Sequence, residues 1–484
     1  MSKEIIAAAV LLSSASTAWA DLSAPAIWAD WQQYYSSLGG TLSAEAEDYA
    51  DGTLTLTDIS ASFEIAGQTS AAQYGSIALE EQADGSVRIL LPERLEGSST
   101  TTVDGETITQ DFVVTQQDLN IIVREDGPEG RVYDMAGAQV VYEVSGLSSG
   151  ADTPPATVTV TMEGLSAETS SRPEGVLTVF DQDGTLETMT LGVVVQDQID
   201  LTYILSDMTA DGSATIETGE GNFLQPGSQS AVSSTLTHSG GTLEMTGVSP
   251  QGPFQINGGS DGGRIAVSMD AEQLTYDLAS EQSRMNMTLP AFPAPVALTL
   301  GSAETNLTFP ISSGPEPKPY ALRLAYEELA LDDTIWSIFD PTGQLPRDPA
   351  TLVIDLDGTA DVAVDFFDPQ AFENLQGPPL MPQSMAINTL NLALAGAALT
   401  GSGDLSFTSN GLAPQPVGTI ELALDGGFAL LDGLVAMGVL PQQQAGFFRG
   451  MAGTVAQQVG EDRLETVIEF TPEGGITANG MPLR

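Results

Sequence analysis

Cysteine is absent from the 484 residues. No disulfide, thiolate nucleophile or cysteine-held zinc is therefore available, and stability has to come from burial and strand pairing. Lysine occurs only at Lys3 and Lys318, and the twelve arginines are scattered singly among 65 acidic residues, which sets the formal charge at −51. Phosphate backbones need clustered basic side chains, so nucleic acid is excluded as a partner, and docking on anionic lipid by charge is disfavoured. His238 is the only histidine, which rules out a histidine metal cluster and makes it the sole base for any Ser-His-Asp triad. Long hydrophobic runs are missing too. Past the first twenty residues, Asp, Glu, Gln, Gly or Pro breaks every apolar stretch within a few positions, so no membrane-spanning segment is expected.

What is present begins with the three parts of a secretory signal: Lys3, an apolar run from Ile5 to Leu12, and Ala18-Trp19-Ala20 before Asp21. Residues 1–20 are read as a signal peptide cleaved after Ala20, with the periplasm of a Gram-negative envelope as destination. The dense carboxylates suit a solvated surface in a salty habitat. Divalent cations bound along that surface are the alternative, since hard cations take carboxylate oxygens.

Ser23 and Pro25 can start a helix in which Ile27, Trp31, Tyr34, Tyr35 and Leu38 recur at helical spacing until Gly39, an aromatic stripe read as core packing. From Gly52 to Gly146 the pattern becomes short alternating runs, such as Thr53–Thr57, Ser86–Leu90 and Asn120–Val123. Asp51-Gly52, Asp84-Gly85, Asp104-Gly105 and Asp126-Gly127 punctuate them as turns. Ser148–Pro155 and Ser312–Pro319 read as linkers or sheet crossings, giving an N-terminal helix-plus-β region at 21–147, a central β region at 156–310 and a mixed C-terminal region at 320–484. In the last, helices are expected at Asp333–Phe339, Leu430–Leu440 and Gln442–Val459, the final two capping a sheet face. Gly446 and Gly450 have the small-xxx-small spacing and are read as close packing on that sheet. The fold class is mainly β (α+β): elongated, curved antiparallel sheets with an N-terminal helix and C-terminal helices packed on a sheet.

Two segments bear on chemistry. Asp181-Gln182-Asp183-Gly184-Thr185 and Asp355-Leu356-Asp357-Gly358-Thr359 resemble the first motif of haloacid-dehalogenase-like phosphatases. That resemblance implies Asp181 or Asp355 as nucleophile, Asp183 or Asp357 as acid and base, and magnesium between carboxylates and phosphate. The lysine such a site needs is missing, since Lys318 lies in a proline-rich segment, and strand-like runs follow both motifs where helices should alternate. Asp-Gly between apolar alternations also marks a hairpin, so turns are expected at both places. His238 lies on the polar side of a strand without a Gly-x-Ser-x-Gly elbow, and Gly258–Gly263 is similar to a calcium-binding nonapeptide turn but occurs once. No catalytic, cofactor-binding or metal-ligating residue is assigned.

The helix from Pro25 to Gly39, the segment Trp336–Pro349 and the C-terminal helices together resemble an uncharacterised, exported alphaproteobacterial family of unknown function (family 2125). The likeness spreads over the chain after residue 20 and implies compartment and architecture only. The closing strand Gly475–Leu483 is similar to the ends of AsmA-like envelope proteins with long curved sheets. That second likeness implies a groove lined with apolar side chains and an association with lipids. The expectation is a non-catalytic periplasmic protein binding lipid or another apolar ligand in a sheet-lined groove. An adhesin-like surface protein and a phosphatase-like hydrolase are the alternatives.

Overall fold

The computed structural model describes residues 22–483 except 38, 66–67, 104–105, 128, 148–154, 218–227, 369–370, 373–374, 376 and 409–413. The signal segment, the Asp104-Gly105 turn and most of the first linker lie outside these. Among the described residues the fold is mainly β, with 67% in strands and 10% in helices. Two compact units separate: the first runs to Gln255 and takes back Ser268–Ala271, and the second comprises Ile256–Val267 and the chain from Glu272. The division falls inside the central β region.

The first unit opens with helix α1 (Ala24–Ser37). Ser23 caps it, its carbonyl accepting from Ala26 and Ile27 and its hydroxyl from the Ala26 amide. Nine strands follow: β1 (Gly40–Ala50), β2 (Thr53–Ile65), β3 (Gln68–Tyr74), β4 (Ile77–Glu81), β5 (Val87–Leu90), β6 (Arg94–Val103), β7 (Glu106–Gln117), β8 (Asn120–Asp126) and β9 (Gly130–Leu147). The Asp51-Gly52 turn holds both residues at positive φ, 50° and 80°, which Asp tolerates and Gly adopts freely. The first half of β2 pairs with β4 and its second half with β3. The β4 ribbon continues through β5 and β8, the β3 ribbon through β6 and β7, and both rejoin on β9. Ile27, Trp28, Trp31, Tyr34 and Tyr35 of α1 fill this arrangement against Leu54, Leu56, Leu79, Val87, Val123 and Tyr133, all at most 5% exposed. The aromatic stripe is thus core, as its spacing predicts.

Beyond β9 come three strands of 19 residues, β10 (Ala156–Glu174), β11 (Leu177–Val195) and β12 (Ile199–Glu217), then β13 (Ala231–His238) and β14 (Gly240–Ser249). In β10 the apolar positions are even up to Met162 and odd from Leu165. β11 and β12 change phase between Leu186 and Met189 and between Leu205 and Met208. The register sets the changes side by side, where Gly164 and Asp207 take φ of 66° and 46°. A residue outside the extended region turns the pleat over, so both halves of a long strand can present apolar side chains to one side. Gly164 is required there, because a Cβ would lie 2.4 Å from the Glu187 side chain.

The second unit takes β15 (Gly252–Ser260) and β16 (Gly262–Met269) in part, then β17 (Gln273–Thr288), β18 (Val296–Pro310), β19 (Lys318–Leu331), α2 (Asp333–Phe339), β20 (Ala350–Val362), β21 (Leu380–Leu394), β22 (Ala397–Thr408) and β23 (Gln415–Asp425). It closes with α3 (Gly427–Ala436), α4 (Gln442–Val455), β24 (Gln457–Gln458), β25 (Arg463–Phe470), β26 (Ile476–Ala478) and β27 (Met481–Pro482). Strands β17 to β23 pair consecutively and antiparallel, followed by β25 and β26. The segment Ser312–Pro319 joins β18 to β19, which are paired neighbours. Asp332 caps α2 through the Ile335 amide. Asp340 is fully buried and accepts from the amides of Gln344 and Leu345, bonds that hold its carboxyl below the usual carboxylate range.

Candidate functional site: an apolar sheet face

In the second unit, residues directly opposite one another form a row across nine strands: Tyr276, Leu307, Leu322, Leu356, Ile387, Gly403, Ile420, Ile468 and Ala478. Every member is apolar or glycine. The adjacent row on the same face reads Leu324, Ile354, Leu390, Gly401, Leu422 and Thr466, and the one beyond Gly403 reads Tyr320, Gly358, Met385, Leu405, Gly418 and Phe470. Cross-strand alternation sends the polar residues to the opposite face, as in the row Asp277, Asn306, Arg323 and Asp355.

An apolar sheet face ordinarily disappears under another layer. Under α1 the residues Leu54, Leu56 and Leu79 are 0–3% exposed. On the second unit's face, Leu307, Leu322, Leu356, Ile387, Leu390, Ile420, Leu422 and Ile468 all remain partly exposed. The face is therefore open along its middle. Three rows at about 6.8 Å spacing span roughly 14 Å along the strands, and nine strands spaced about 4.8 Å apart give a breadth of roughly 38 Å. Each leaflet of a bilayer holds its acyl chains in about 15 Å, so the face has the length for one. At one end Phe309 meets Phe366 edge-on at 4.9 Å, and Phe366 meets Phe372 at 5.8 Å, closing the face with aromatic rings. The first unit has a row of the same kind, Val114, Tyr142, Val160, Leu191, Tyr203 and Leu243, again partly exposed.

Of the two phosphatase-like segments, the second crosses this face at Leu356 and Gly358 with Asp355 on the opposite, polar face, the first lies in the other unit, and the turns expected at both are corrected. Asp183-Gly184 sits in the middle of β11 and Asp357-Gly358 in the middle of β20, each paired on both sides. The dipeptide favours a turn only where pairing stops, and here the flanking strands are long enough to continue it. These pairings are antiparallel, so the parallel framework of the phosphatase reading is missing around both. Asp355 takes Arg323 at 3.0 Å, and Asn388, at a bulge of β21, donates to Asp355 and Asp357 at 3.3 and 2.6 Å. Lys318 is occupied by Glu272 and the Ser312 hydroxyl.

Asp183 instead joins a row of four carboxylates directly opposite one another, Asp134, Glu168, Asp183 and Asp211. They line a shallow trough of about 590 Å³ on the polar side of the first unit. Arg124 pairs with Asp134 and lies 3.8 Å from Glu168. Among the described residues no three His, Asp or Glu side chains are grouped to hold a metal ion. Nδ1 of His238 is 3.1 Å from the Gly240 carbonyl, and Asp261, in the glycine-rich segment, is held by Arg284 at 2.8 Å.

The sequence reading expects a sheet-lined apolar groove but does not say which strands form the open face. The signal for the rows themselves was the recurrence of a large apolar residue at every second position of Leu322–Tyr326, Leu352–Leu356 and Ile420–Leu424. A family model with the description "Uncharacterized protein conserved in bacteria (DUF2125)" matches residues 223–483, the stretch that contains this face. No curated protein and no solved structure matches the chain.

Proposed function

The chain belongs to the DUF2125 family, and from that premise we propose that it is an exported, non-catalytic periplasmic protein whose second unit binds an acyl-chain lipid along its apolar face. The observation that carries the reading is the nine-strand row through Leu356, Ile387 and Ile420, apolar from end to end and partly exposed. A soluble surface rarely leaves so large an apolar patch open unless something occupies it. Flexible hydrocarbon suits a face without fixed polar groups, because it asks for area and no directed hydrogen bonds. Glycines at 401 and 403 leave two positions of β22 without side chains in the middle of the face, and Leu422 and Ile420 of β23 lean over them, so that a Cβ would come 2.6 Å from Leu422 Cδ2 and 3.1 Å from Ile420 Cγ1. Export is supported by the signal-like pattern of residues 1–20.

Protein purified gently from the periplasm should begin at Asp21 and carry phospholipid or another acyl compound, seen by native mass spectrometry and solvent extraction. Ile420→Asp, placing a charge at the centre of the face, should lose that mass. Recovery of ligand-free wild-type monomer that binds no fluorescent fatty acid would sink the proposal.

A further inference from the structure

The helix α4 turns its apolar stripe away from the protein. Ala445 is buried against the unit, whereas Phe447, Met451 and Phe448, on one side of the helix, are 63%, 49% and 45% exposed. Gly446 and Gly450 stand on the same open side, and a Cβ on either would meet nothing within 4 Å. The close packing their spacing suggests is therefore absent: this helix rests on α3, and its small residues border open space. Arg449 makes that attachment, pairing with Asp432 at 2.5 Å, donating to the Phe428 carbonyl and lying over the Phe428 ring. Val439, in the link between the two helices, is 64% exposed.

A second group of exposed apolar side chains lies at the end of the apolar face. Leu392 and Leu394, where β21 finishes, are 44% and 52% exposed. Next to them a Cβ on Gly396 would touch Pro346, and one on Gly433 of α3 would touch Leu345, so the loop after α2 bridges the strand ends and the helix pair. This is the end opposite the Phe309, Phe366 and Phe372 cluster. Charge sets the region apart as well. In a chain with 65 acidic residues, the 33 residues from Gly427 to Val459 contain one acid and one base, Asp432 and Arg449, which neutralise each other.

We propose that the α3–α4 pair is the protein's membrane-docking tip, laying Phe447, Phe448 and Met451 into the surface of a zwitterionic phospholipid bilayer. The strongly negative remainder of the molecule is repelled by anionic headgroups, which disfavours an anionic surface, whereas an uncharged apolar tip needs no charge attraction to enter a zwitterionic one. A helix of 14 residues is too short to cross the bilayer but suited to lie in its interface. The proposal rests on the acyl-binding reading: the loop at Leu345 and Pro346 joins this tip to the open end of the apolar face, where a lipid chain would enter.

The test is flotation of the full processed protein with phosphatidylcholine vesicles. Wild type should float with the vesicles, and the triple variant Phe447→Ser, Phe448→Ser, Met451→Ser should bind about tenfold more weakly or less. Its melting curve should be unchanged, since all three side chains are exposed, and it should still take up an acyl chain offered from detergent. Ile420→Asp separates the two readings, because it should lose the acyl chain and still float. Wild type that stays with the soluble fraction, or a triple variant that floats equally well, overturns the docking tip. So does a concentration-dependent dimer that the triple variant abolishes while neither protein floats, which would make the patch a contact between two copies.

Discussion

Arg131 of β9 lies 3.2 Å from Asp30 of α1, and both side chains are buried, at 8% and 6% exposure. The pair fastens the N-terminal helix to the sheet inside a core of Trp28, Trp31 and Tyr133. Burial pushes the Asp30 carboxyl up to about 7, and the charge and hydrogen bond of Arg131 offset that only in part. A buried ion pair of this kind ties down geometry more surely than it adds stability.

A pH dependence follows. The folded pKa of Asp30 stands above its unfolded value of 3.8, so its contribution is fully present below about pH 4 and lost as pH rises through 7. Three pH units correspond to about 4 kcal/mol at most. Urea unfolding should show stability falling between pH 4 and 7, and Asp30→Asn should flatten that slope. Parallel slopes for the two proteins would mean that Arg131 keeps Asp30 ionised throughout.

Gly358 is demanded by packing and not by a turn. A Cβ there would sit 2.1 Å from the Ser384 carbonyl oxygen and 2.8 Å from the Tyr320 hydroxyl, which itself donates to that carbonyl. Gly358→Ala should cost about 1–3 kcal/mol as an overpacked site. Gly192→Ala, whose Cβ would meet nothing nearer than 3.9 Å, should lie within about 0.5 kcal/mol of wild type. Equal midpoints for the two variants in denaturant would contradict this packing account.

Salt should stabilise the fold. At a formal charge of −51, carboxylates such as Asp134, Glu168, Asp183 and Asp211 face one another across adjacent strands, and ions screen such repulsion over about 10 Å at 0.1 M. The exposed ion pairs of Arg94, Arg124 and Arg284 weaken in salt, but each contributes little. Melting temperature should therefore climb from low to high sodium chloride. A flat or falling trend would show the carboxylates already compensated, and sensitivity to a chelator would identify bound cations as the reason.

Several features could be read directly from the chain, because local chemistry decides them. Alternation of period two makes strands of Thr53–Thr57 and Thr157–Thr161 wherever they pair, and the stripe of Ile27, Trp31, Tyr34 and Tyr35 makes a half-buried helix under any layer it meets. Asp51-Gly52, Asp84-Gly85 and Asp126-Gly127 turn where strands stop. The same dipeptide at 183–184 and 357–358 stays extended, because pairing on both edges outweighs a local turn preference. Only the tertiary structure decided which apolar faces are covered. The spacing of Leu54 and Leu56 in β2 is that of Ile420 and Leu422 in β23, yet α1 buries the first pair and the second stays partly exposed. Alternation specifies that a face is apolar. What lies on it depends on distant segments, and for that reason the place of the open face and the outward-turned Phe447 and Phe448 emerged only with the fold.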